Sequence, residues 1–389
     1  MNTKMIYRPI GKTGLKAGVI GLGCEHLDGQ PFETVDLVVN GALDRGVNML
    51  DIFMPGDDIR TKIGRALGNR RPDVLIQGMI GSTDLNQQYD QSRDDATIRK
   101  YFEALLRDLN TDYIDFGMIF YMDTEQDFKA AFGDNLDAPS IRYARELKKA
   151  GKIRHIGASS HNPKIARKVV ETGEVELLMF SINAAFDMAP AVPLTEFWDS
   201  ENEIAYEKKL DPERVELYKT CERMGVGISV MKTYAAGKLL DARFSPFDRA
   251  MTPAQCIEYA LSRPAVASVL LGCSNLAELD AAMSYFDASE AEKDYTPVIE
   301  QYKGSFQGSC VYCNHCLPCP SQINIAQVNR LLDIAKLDEK AIPQTLKDQY
   351  LALPKKGSDC IACGSCEKKC PFGVQVTQRM QEAGRVFGG

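Results

Sequence analysis

Hydrophobic and polar residues follow two periodic patterns, which alternate along the first three-quarters of the chain. Short apolar runs predict buried β-strands, and each run is followed by a segment whose apolar residues recur at helical spacing. In Phe32–Arg45, for example, Val35, Val38 and Leu43 fall on one helical face. This pair of patterns, a strand followed by a helix, occurs eight times. The predicted strand–helix units are Val19–Gly23 with Phe32–Arg45, Val47–Asp51 with Asp58–Leu67, Val74–Ile80 with Asp94–Leu109, Tyr113–Tyr121 with Ile141–Ala150, Ile153–Gly157 with Pro163–Glu171, Val175–Ile182 with Asp211–Met224, Val226–Val230 with Pro253–Leu261, and Ala267–Leu271 with Leu276–Phe286.

Eight such units indicate an α/β fold with a parallel sheet covered by helices on its outer face. They predict a (β/α)8 TIM barrel over residues 1–288. An open doubly wound sheet is the alternative, but the segment Gly21–His26 lacks the third glycine and the adjoining helix of a phosphate-binding fingerprint. In a barrel the chemistry lies on the loops that follow the strands. The long loop Phe186–Leu210, with Trp198, predicts a lid or substrate wall, with a packing insert as the other interpretation.

Two cysteine runs mark the C-terminal quarter and hold eight of the twelve cysteines. The second has the C-x2-C-x2-C-x3-C-P spacing of bacterial ferredoxins, and the first differs by one residue in its last gap. In such pairs three thiolates hold one cluster while the fourth, beside a proline, reaches the other cluster. The spacing therefore predicts two four-iron, four-sulfur clusters with crossed ligands: Cys310, Cys313 and Cys316 with Cys370, and Cys360, Cys363 and Cys366 with Cys319.

Zinc and disulfides are the alternative uses of these cysteines. Zinc takes two separated pairs of ligands and has no role for a third cysteine at the next step. Disulfides suit secreted domains, whereas the chain opens without an apolar signal core. Residues 289–389 are therefore predicted to form a small, mostly helical, ferredoxin-like iron–sulfur domain. The remaining cysteines (Cys24, Cys221, Cys256 and Cys273) are interpreted as core residues.

Composition narrows the possible partners and the compartment. The formal net charge of −7, without a dense basic face, argues against a nucleic-acid partner. No apolar run reaches the ~20 residues of a membrane span, so no membrane association is expected. These features predict a cytoplasmic protein that acts on a small-molecule substrate. The predicted clusters are compatible with a redox protein as a partner.

Several ordered segments of the predicted barrel resemble the aldo/keto reductases, and the C-terminal cysteines resemble the iron–sulfur-bearing branch of that family. The matching segments are Arg8–Leu15, Ile20–Gly23, Gly46–Asp51, Ile63–Leu67, Thr111–Asp115, Gly151–Gly157 and Gly225–Gly227. The resemblance implies a TIM barrel and a catalytic tetrad of Asp, Tyr, Lys and His. Asp51 matches the aspartate, but the other three positions read Gly56, Met79 and Phe120.

The loss of these groups bears directly on the chemistry. A positioned acid at the carbonyl oxygen contributes roughly 10²–10⁴-fold to such a reaction, so standard NADPH-dependent carbonyl reduction is not expected. On the cofactor side the resemblance implies a Ser-Asn pair and a glutamine, where this chain has Ser159, Ser160 and Met179. The nicotinamide-stacking aromatic appears as Met231.

Polar residues at the predicted strand ends supply the remaining candidates. Asp51, His161 and Lys232 are predicted to be catalytic: histidine titrates near neutral pH, and a desolvated lysine can bind an anion or act as a base. A helix-cap role for the His161 loop and an ion pair for Lys232 are the structural alternatives. The predicted cofactor-binding residues, for NADP(H) or flavin, are Ser159, Asn183, Gly272 and Ser274.

The sequence therefore predicts an oxidoreductase that passes electrons between two clusters and a small organic substrate, or a bound cofactor, in the barrel mouth. Two other functions stay open. One is a non-redox lyase or isomerase with structural clusters, and the other is an electron-carrier subunit.

Overall fold

The computed structural model describes residues 5–86, 88–188, 210–247, 249–299, 310, 312, 314, 316–336, 339, 342–370 and 373–388. The chain divides into two compact units, one of Met1–Thr83 with Gln91–Ser305 and one of Asp84–Asp90 with Phe306–Gly389. This division differs from the predicted boundary at 288/289 in two respects. The first unit continues through two short helices, Glu290–Lys293 and Thr296–Ile299, and residues 84–90 fall in the second unit.

The first unit contains a closed barrel of eight parallel strands, as the sequence predicted. The barrel strands are β1 (Ile20–Gly23), β2 (Met49–Ile52), β3 (Leu75–Ile80), β4 (Ile114–Ile119), β5 (Ile153–Ser160), β6 (Leu177–Ser181), β7 (Gly227–Met231) and β8 (Val266–Gly272). Each strand pairs with its neighbours in the chain, and β8 closes the barrel on β1. The register places Asp51 of β2 beside Gln77 of β3.

The helices that alternate with these strands begin and end close to the predicted positions. They are α1 (Phe32–Asp44), α2 (Asp57–Leu67), α3 (Asp95–Asp108), α4 (Pro139–Lys149), α5 (Pro163–Glu171), α6 (Pro212–Met224), α7 (Pro253–Leu261) and α8 (Leu276–Met283). Local chemistry explains several of these bounds. The Asn162 side chain accepts a hydrogen bond from Lys164 N at 3.0 Å, which confirms the predicted cap of α5. Gly225, with φ of 69°, ends α6 in the left-handed conformation.

The barrel interior is apolar and contains several methionines. Met49, Met79, Met118 and Met179 belong to one buried cluster of side chains. Gly157 makes this packing possible, because a Cβ at this position would lie 2.2 Å from the Met118 sulfur. The interior is thus a packed core, and chemistry is confined to the carboxyl ends of the strands.

Three loops at those ends contain regular structure that the sequence did not predict. The strands Ser82–Leu85 and Gln88–Gln91 form a two-stranded sheet after β3, called here the third-loop hairpin. The helix Glu125–Phe132 follows β4, with a capping box from Thr124 and Asp127. The short helix Ala184–Asp187 follows β6. Trp198 and the rest of residues 189–209, the predicted lid, lie outside the described residues.

Further short elements complete the first unit. Tyr7–Pro9 pairs antiparallel with Lys16–Gly18 in an N-terminal hairpin. The 3₁₀ helices of this unit are Cys24–Leu27, Gly68–Asp73, Lys238–Leu240 and Ser284–Phe286.

In the described residues of the second unit, helices pack around a small hydrophobic core. Its helices are α9 (Ile325–Ala335), α10 (Gln344–Leu351), α11 (Ser365–Lys369) and α12 (Val376–Phe387), with a 3₁₀ turn at Gly357–Asp359. Val328, Leu332, Tyr350 and Met380 are among the buried residues of this core. Among the described residues, none of the helices is both long and apolar enough to cross a bilayer.

Candidate active site and cysteine pocket

Asp51 is a buried carboxyl group at the end of β2. Its Oδ1 accepts a hydrogen bond of 2.8 Å from Gln77 Nε2, and the residue is 7% exposed. Burial raises the pKa of Asp51 to about 7; the hydrogen bond from Gln77 lowers it, the charge of Glu25 raises it and the charge of Lys232 lowers it. Asp51 can therefore hold or release a proton near neutral pH.

Gln77 was not among the predicted site residues. It lies in β3 next to Asp51 in register, is fully buried, and also donates to the sulfur of Met179 at 3.1 Å. The signal in the sequence was a single amide in the otherwise apolar run Leu75–Ile80. Without the register of β2 and β3, nothing connected that amide to Asp51.

The three positions at which the tetrad departs from the family pattern are apolar or lack a side chain. Met79 is 1% exposed in the barrel core, and Phe120 stacks on Phe53 with ring centroids 6.3 Å apart. Gly56 precedes α2 with an ordinary φ of −63°, and a Cβ there would meet only Ile59 at 3.8 Å. A Cβ would therefore fit at Gly56, so neither the backbone conformation nor crowding at Cβ requires a glycine there.

His161 follows β5, and its imidazole is paired with a carboxylate. Its Nδ1 lies 3.1 Å from Asp123 Oδ2, and the side chains are 5% and 7% exposed. Asp123 Oδ1 also accepts a hydrogen bond from Ser160 Oγ at 3.0 Å. The ring of Tyr121 lies 6.1 Å from the imidazole, centroid to centroid. The structure thus brings His161 into a buried histidine–carboxylate pair that links the ends of β4 and β5.

Two of the predicted cofactor-binding side chains make hydrogen bonds to the backbone. Ser159 Oγ accepts a bond of 2.8 Å from Tyr121 N. Asn183 accepts from Phe186 N at 3.0 Å and donates to Lys232 O at 2.8 Å. Both residues therefore brace neighbouring loops at the barrel mouth. Lys232 itself has a left-handed φ of 61°, and its charge acts on Asp51.

Gly272, the last residue of β8, and Ser274 are the other two predicted cofactor-binding residues. The imidazole of His26 covers Gly272, because a Cβ there would be 2.2 Å from its Nδ1. Ser274 N donates to the Glu278 carboxylate at 2.7 Å. An incoming phosphate would meet this carboxylate in place of a basic side chain.

A pocket in the second unit collects cysteines from both runs. It has an empty volume of about 370 Å³, counting space open to solvent, and apolar side chains from α9 and α12 complete its wall. The cysteines that line it are Cys316, Cys319, Cys360, Cys363 and Cys366. Four of these form the predicted crossed set, Cys319 with the first three cysteines of the second run.

The ligands predicted for the other cluster lie against the helical core of the same unit. Cys310, Cys316 and Cys370 are half-buried and pack against it, and Cys313 lies outside the described residues. Among the described residues, no three Cys, His, Asp or Glu side chains converge on one metal ion. A four-iron, four-sulfur cluster places its inorganic core between the thiolates, so its ligands stand farther apart than those of a single ion. The residues around the pocket fit such a group.

Comparisons with known proteins place the barrel in a family. A family model described as the aldo/keto reductase family matches residues 19–250, which end before the cysteine runs. The chain is 28% identical over 298 residues to the uncharacterized oxidoreductase YqkF of Bacillus subtilis, covering 71% of this chain and 89% of that protein. It is 25% identical over 191 residues to an NADH-specific methylglyoxal reductase of Escherichia coli, covering 44% and 56%.

A solved structure shares the fold. The aldo-keto reductase AKR11C1 of Bacillus halodurans, in its holo form, superimposes with a TM-score of 0.60 at 22% identity, covering 77% of this chain and 97% of that one. This similarity supports the barrel architecture alone. The family model spans well over half of the 389 residues. The chain therefore belongs to the aldo/keto reductase family and is an oxidoreductase.

Proposed function

We propose that this protein is an iron–sulfur oxidoreductase that passes electrons between two four-iron, four-sulfur clusters and a small organic substrate or bound cofactor in the barrel mouth. The observation that carries the proposal is the pocket of about 370 Å³ lined by Cys319 together with Cys360, Cys363 and Cys366. Cys319 is 40 or more positions from the other three cysteines in the chain, and the crossed ligand pattern of two-cluster ferredoxins requires this combination.

The chain would hold one cluster through that set and the other through Cys310, Cys313, Cys316 and Cys370. When bound, clusters of this type supply single electrons. Ala362 N donates to Cys360 Sγ at 3.4 Å, the kind of bond that tunes a ligand sulfur. Lys369 Nζ donates to Leu317 O at 3.1 Å and ties the second cysteine run to the first.

The barrel supplies a proton donor and a fixed charge. Asp51 is buried at the end of β2, and this burial raises its pKa to about 7, so it keeps its proton close to neutral pH. The positive charge of Lys232 favours anionic substrate groups and the ionised form of Asp51. His161, held by Asp123, is a second proton-carrying group at the same end of the barrel.

The cofactor in the mouth stays open between NADP(H), flavin and none. The Glu278 carboxylate at Ser274 N disfavours the extra phosphate of NADP(H) at this loop, since like charges repel. Binding of NADPH, NADH, FMN and FAD to the anaerobic protein, measured by calorimetry, distinguishes these cases. We expect the weakest binding for NADPH.

Anaerobic purification followed by iron and sulfide determination tests the proposal directly. We expect about eight irons and as many sulfides per chain. Zinc in place of iron would refute the clusters. Full turnover of NADPH and a simple aldehyde by protein stripped of iron would refute the role of the clusters in the reaction. We also place the protein in the cytoplasm, where a reducing environment protects clusters, with a redox protein as electron donor or acceptor.

A further inference from the structure

The third-loop hairpin carries a glutamine whose side chain bonds both sides of the Cys319 backbone. Gln88 Nε2 donates to Cys319 O at 3.2 Å, and Gln88 Oε1 accepts from Cys319 N at 3.1 Å. Residues 84–90 of this hairpin belong to the unit that contains the cysteine runs. The contact joins residues 231 positions apart in the sequence.

A side-chain amide that bonds both the N–H and the C=O of one residue restrains that residue's backbone as the paired hydrogen bonds between two β-strands do. The small net gain from the two hydrogen bonds is offset by the conformational entropy lost when the glutamine side chain is ordered. The pair therefore adds little to the overall stability of the fold. Its main effect is on geometry, because it restrains where Cys319 can direct its side chain.

Cys319 has further restraints that make the glutamine bond significant. Its carbonyl also accepts from Gln322 N at 2.8 Å, and the next residue, Pro320, has no N–H. The N–H of Cys319 is occupied, because it donates to Gln88. The bond from Ala362 N to Cys360 Sγ shows the other arrangement, in which a backbone N–H bonds a cysteine sulfur.

The hairpin is also anchored at its base, within the barrel unit. Ser82 Oγ donates to Phe53 O at 2.7 Å, directly after β2. Arg93 Nη2 donates to Phe120 O at 2.6 Å and to Tyr121 O at 2.7 Å, and these two carbonyl groups directly follow β4. The base of the hairpin is therefore held next to both of its strands.

We propose that Gln88 is a positioning residue for the cluster ligand Cys319. The inference rests on the proposed function, because it requires Cys319 to bind iron. Gln88 holds the ligand's backbone in place and keeps the Cys319 N–H away from the cluster sulfurs. Its removal loosens the ligand and frees that N–H, and both changes act on one cluster of the two. Loss of a residue that orients a metal ligand typically costs 10–100-fold in metal affinity.

The test compares Gln88→Leu with Gln91→Leu in the anaerobically purified, full-length holoprotein. Gln91 lies in the same hairpin but bonds Asp127 and Arg93 instead of a cysteine, so it is the control for a lost glutamine that does not contact a cluster ligand. Iron release to a chelator is followed by absorbance, and the reduced clusters are followed by electron paramagnetic resonance. We expect Gln88→Leu to release about four of about eight irons roughly tenfold faster, while Gln91→Leu behaves as wild type.

Spectroscopy separates a positioning role from general destabilisation. In Gln88→Leu one of the two cluster signals should change and its reduction potential should rise, because a freed N–H stabilises the reduced cluster. The thermal unfolding midpoint should stay near that of wild type. Gln88→Glu, which keeps the acceptor for Cys319 N, should release iron at an intermediate rate.

The outcomes are distinguishable from those for the proposed function. Iron-loaded Gln88→Leu with wild-type release and unchanged spectra overturns the role of Gln88 and leaves the clusters intact. Wild-type protein without iron overturns the proposed function and this inference with it.

Discussion

Replacing Asp51 by asparagine should change how the stability of the barrel depends on pH. The folded protein keeps the Asp51 proton up to a pKa of about 7, because burial disfavours the charged form. The unfolded chain releases that proton near the ordinary value of 3.8. Between these values the folded state binds the extra proton, so the free energy of unfolding falls as pH rises.

The size of the effect follows from the two pKa values. They differ by about three pH units, and each unit corresponds to about 1.4 kcal/mol, so Asp51 lowers the stability by about 4 kcal/mol between pH 4 and pH 8. The asparagine of the variant does not titrate, and its side-chain oxygen can still accept the bond from Gln77. Relative to wild type, Asp51→Asn should therefore gain about 4 kcal/mol across that range.

Urea unfolding at several pH values measures the difference. The full-length protein is unfolded anaerobically and followed by circular dichroism, with Asp112→Asn as the control because Asp112 is exposed. The wild-type and Asp112→Asn curves should decline in parallel with rising pH, while Asp51→Asn stays flatter. Parallel curves for all three proteins would show that Asp51 titrates normally in the folded state, and the proton-donor role would fail with it.

Three further predictions test other parts of the structure. Lys232→Met removes a positive charge that lowers the pKa of Asp51, so the pH profile of activity should move to higher pH; an unchanged profile would contradict the charge interaction. Cys363→Ser removes an exposed pocket cysteine, and iron analysis should show about half of the wild-type iron; a full iron content would exclude this ligand. Arg214→Met leaves the Asp187 carboxylate buried without its partner at 2.7 Å, and should cost about 3–5 kcal/mol in urea unfolding; a loss under about 1 kcal/mol would refute the pair's importance.

The strand and helix pattern of the barrel could be predicted because burial is periodic along the chain. The strands face a packed interior on one side and helices on the other, so they appear as continuous apolar runs. In each amphipathic helix the apolar residues of the buried face recur with a period of 3.6 residues. Helices α5 and α7 were predicted to the residue, since proline and a capping side chain mark their first turns.

The irregular parts of the strand-end loops could not be predicted in this way. The third-loop hairpin has polar residues on both strands, so its sequence shows no apolar alternation. The bonds of its Gln88 run to a cysteine 231 residues away. Such contacts leave no local signal in the sequence, because neither Gln88 nor Cys319 by itself indicates its partner.

The sequence by itself determined the barrel, the identity of its family and the grouping of cysteines into two runs. The barrel follows from local periodicity and the cysteine grouping from spacing, whereas the family was indicated by the resemblance of several ordered segments. The tertiary structure alone decided that Asp51 pairs with Gln77, that Asp123 holds His161, and that Gln88 bonds the Cys319 backbone. The physical reason is that closing the barrel and packing the helices bring distant side chains into contact, and burial then sets their proton affinity and orientation.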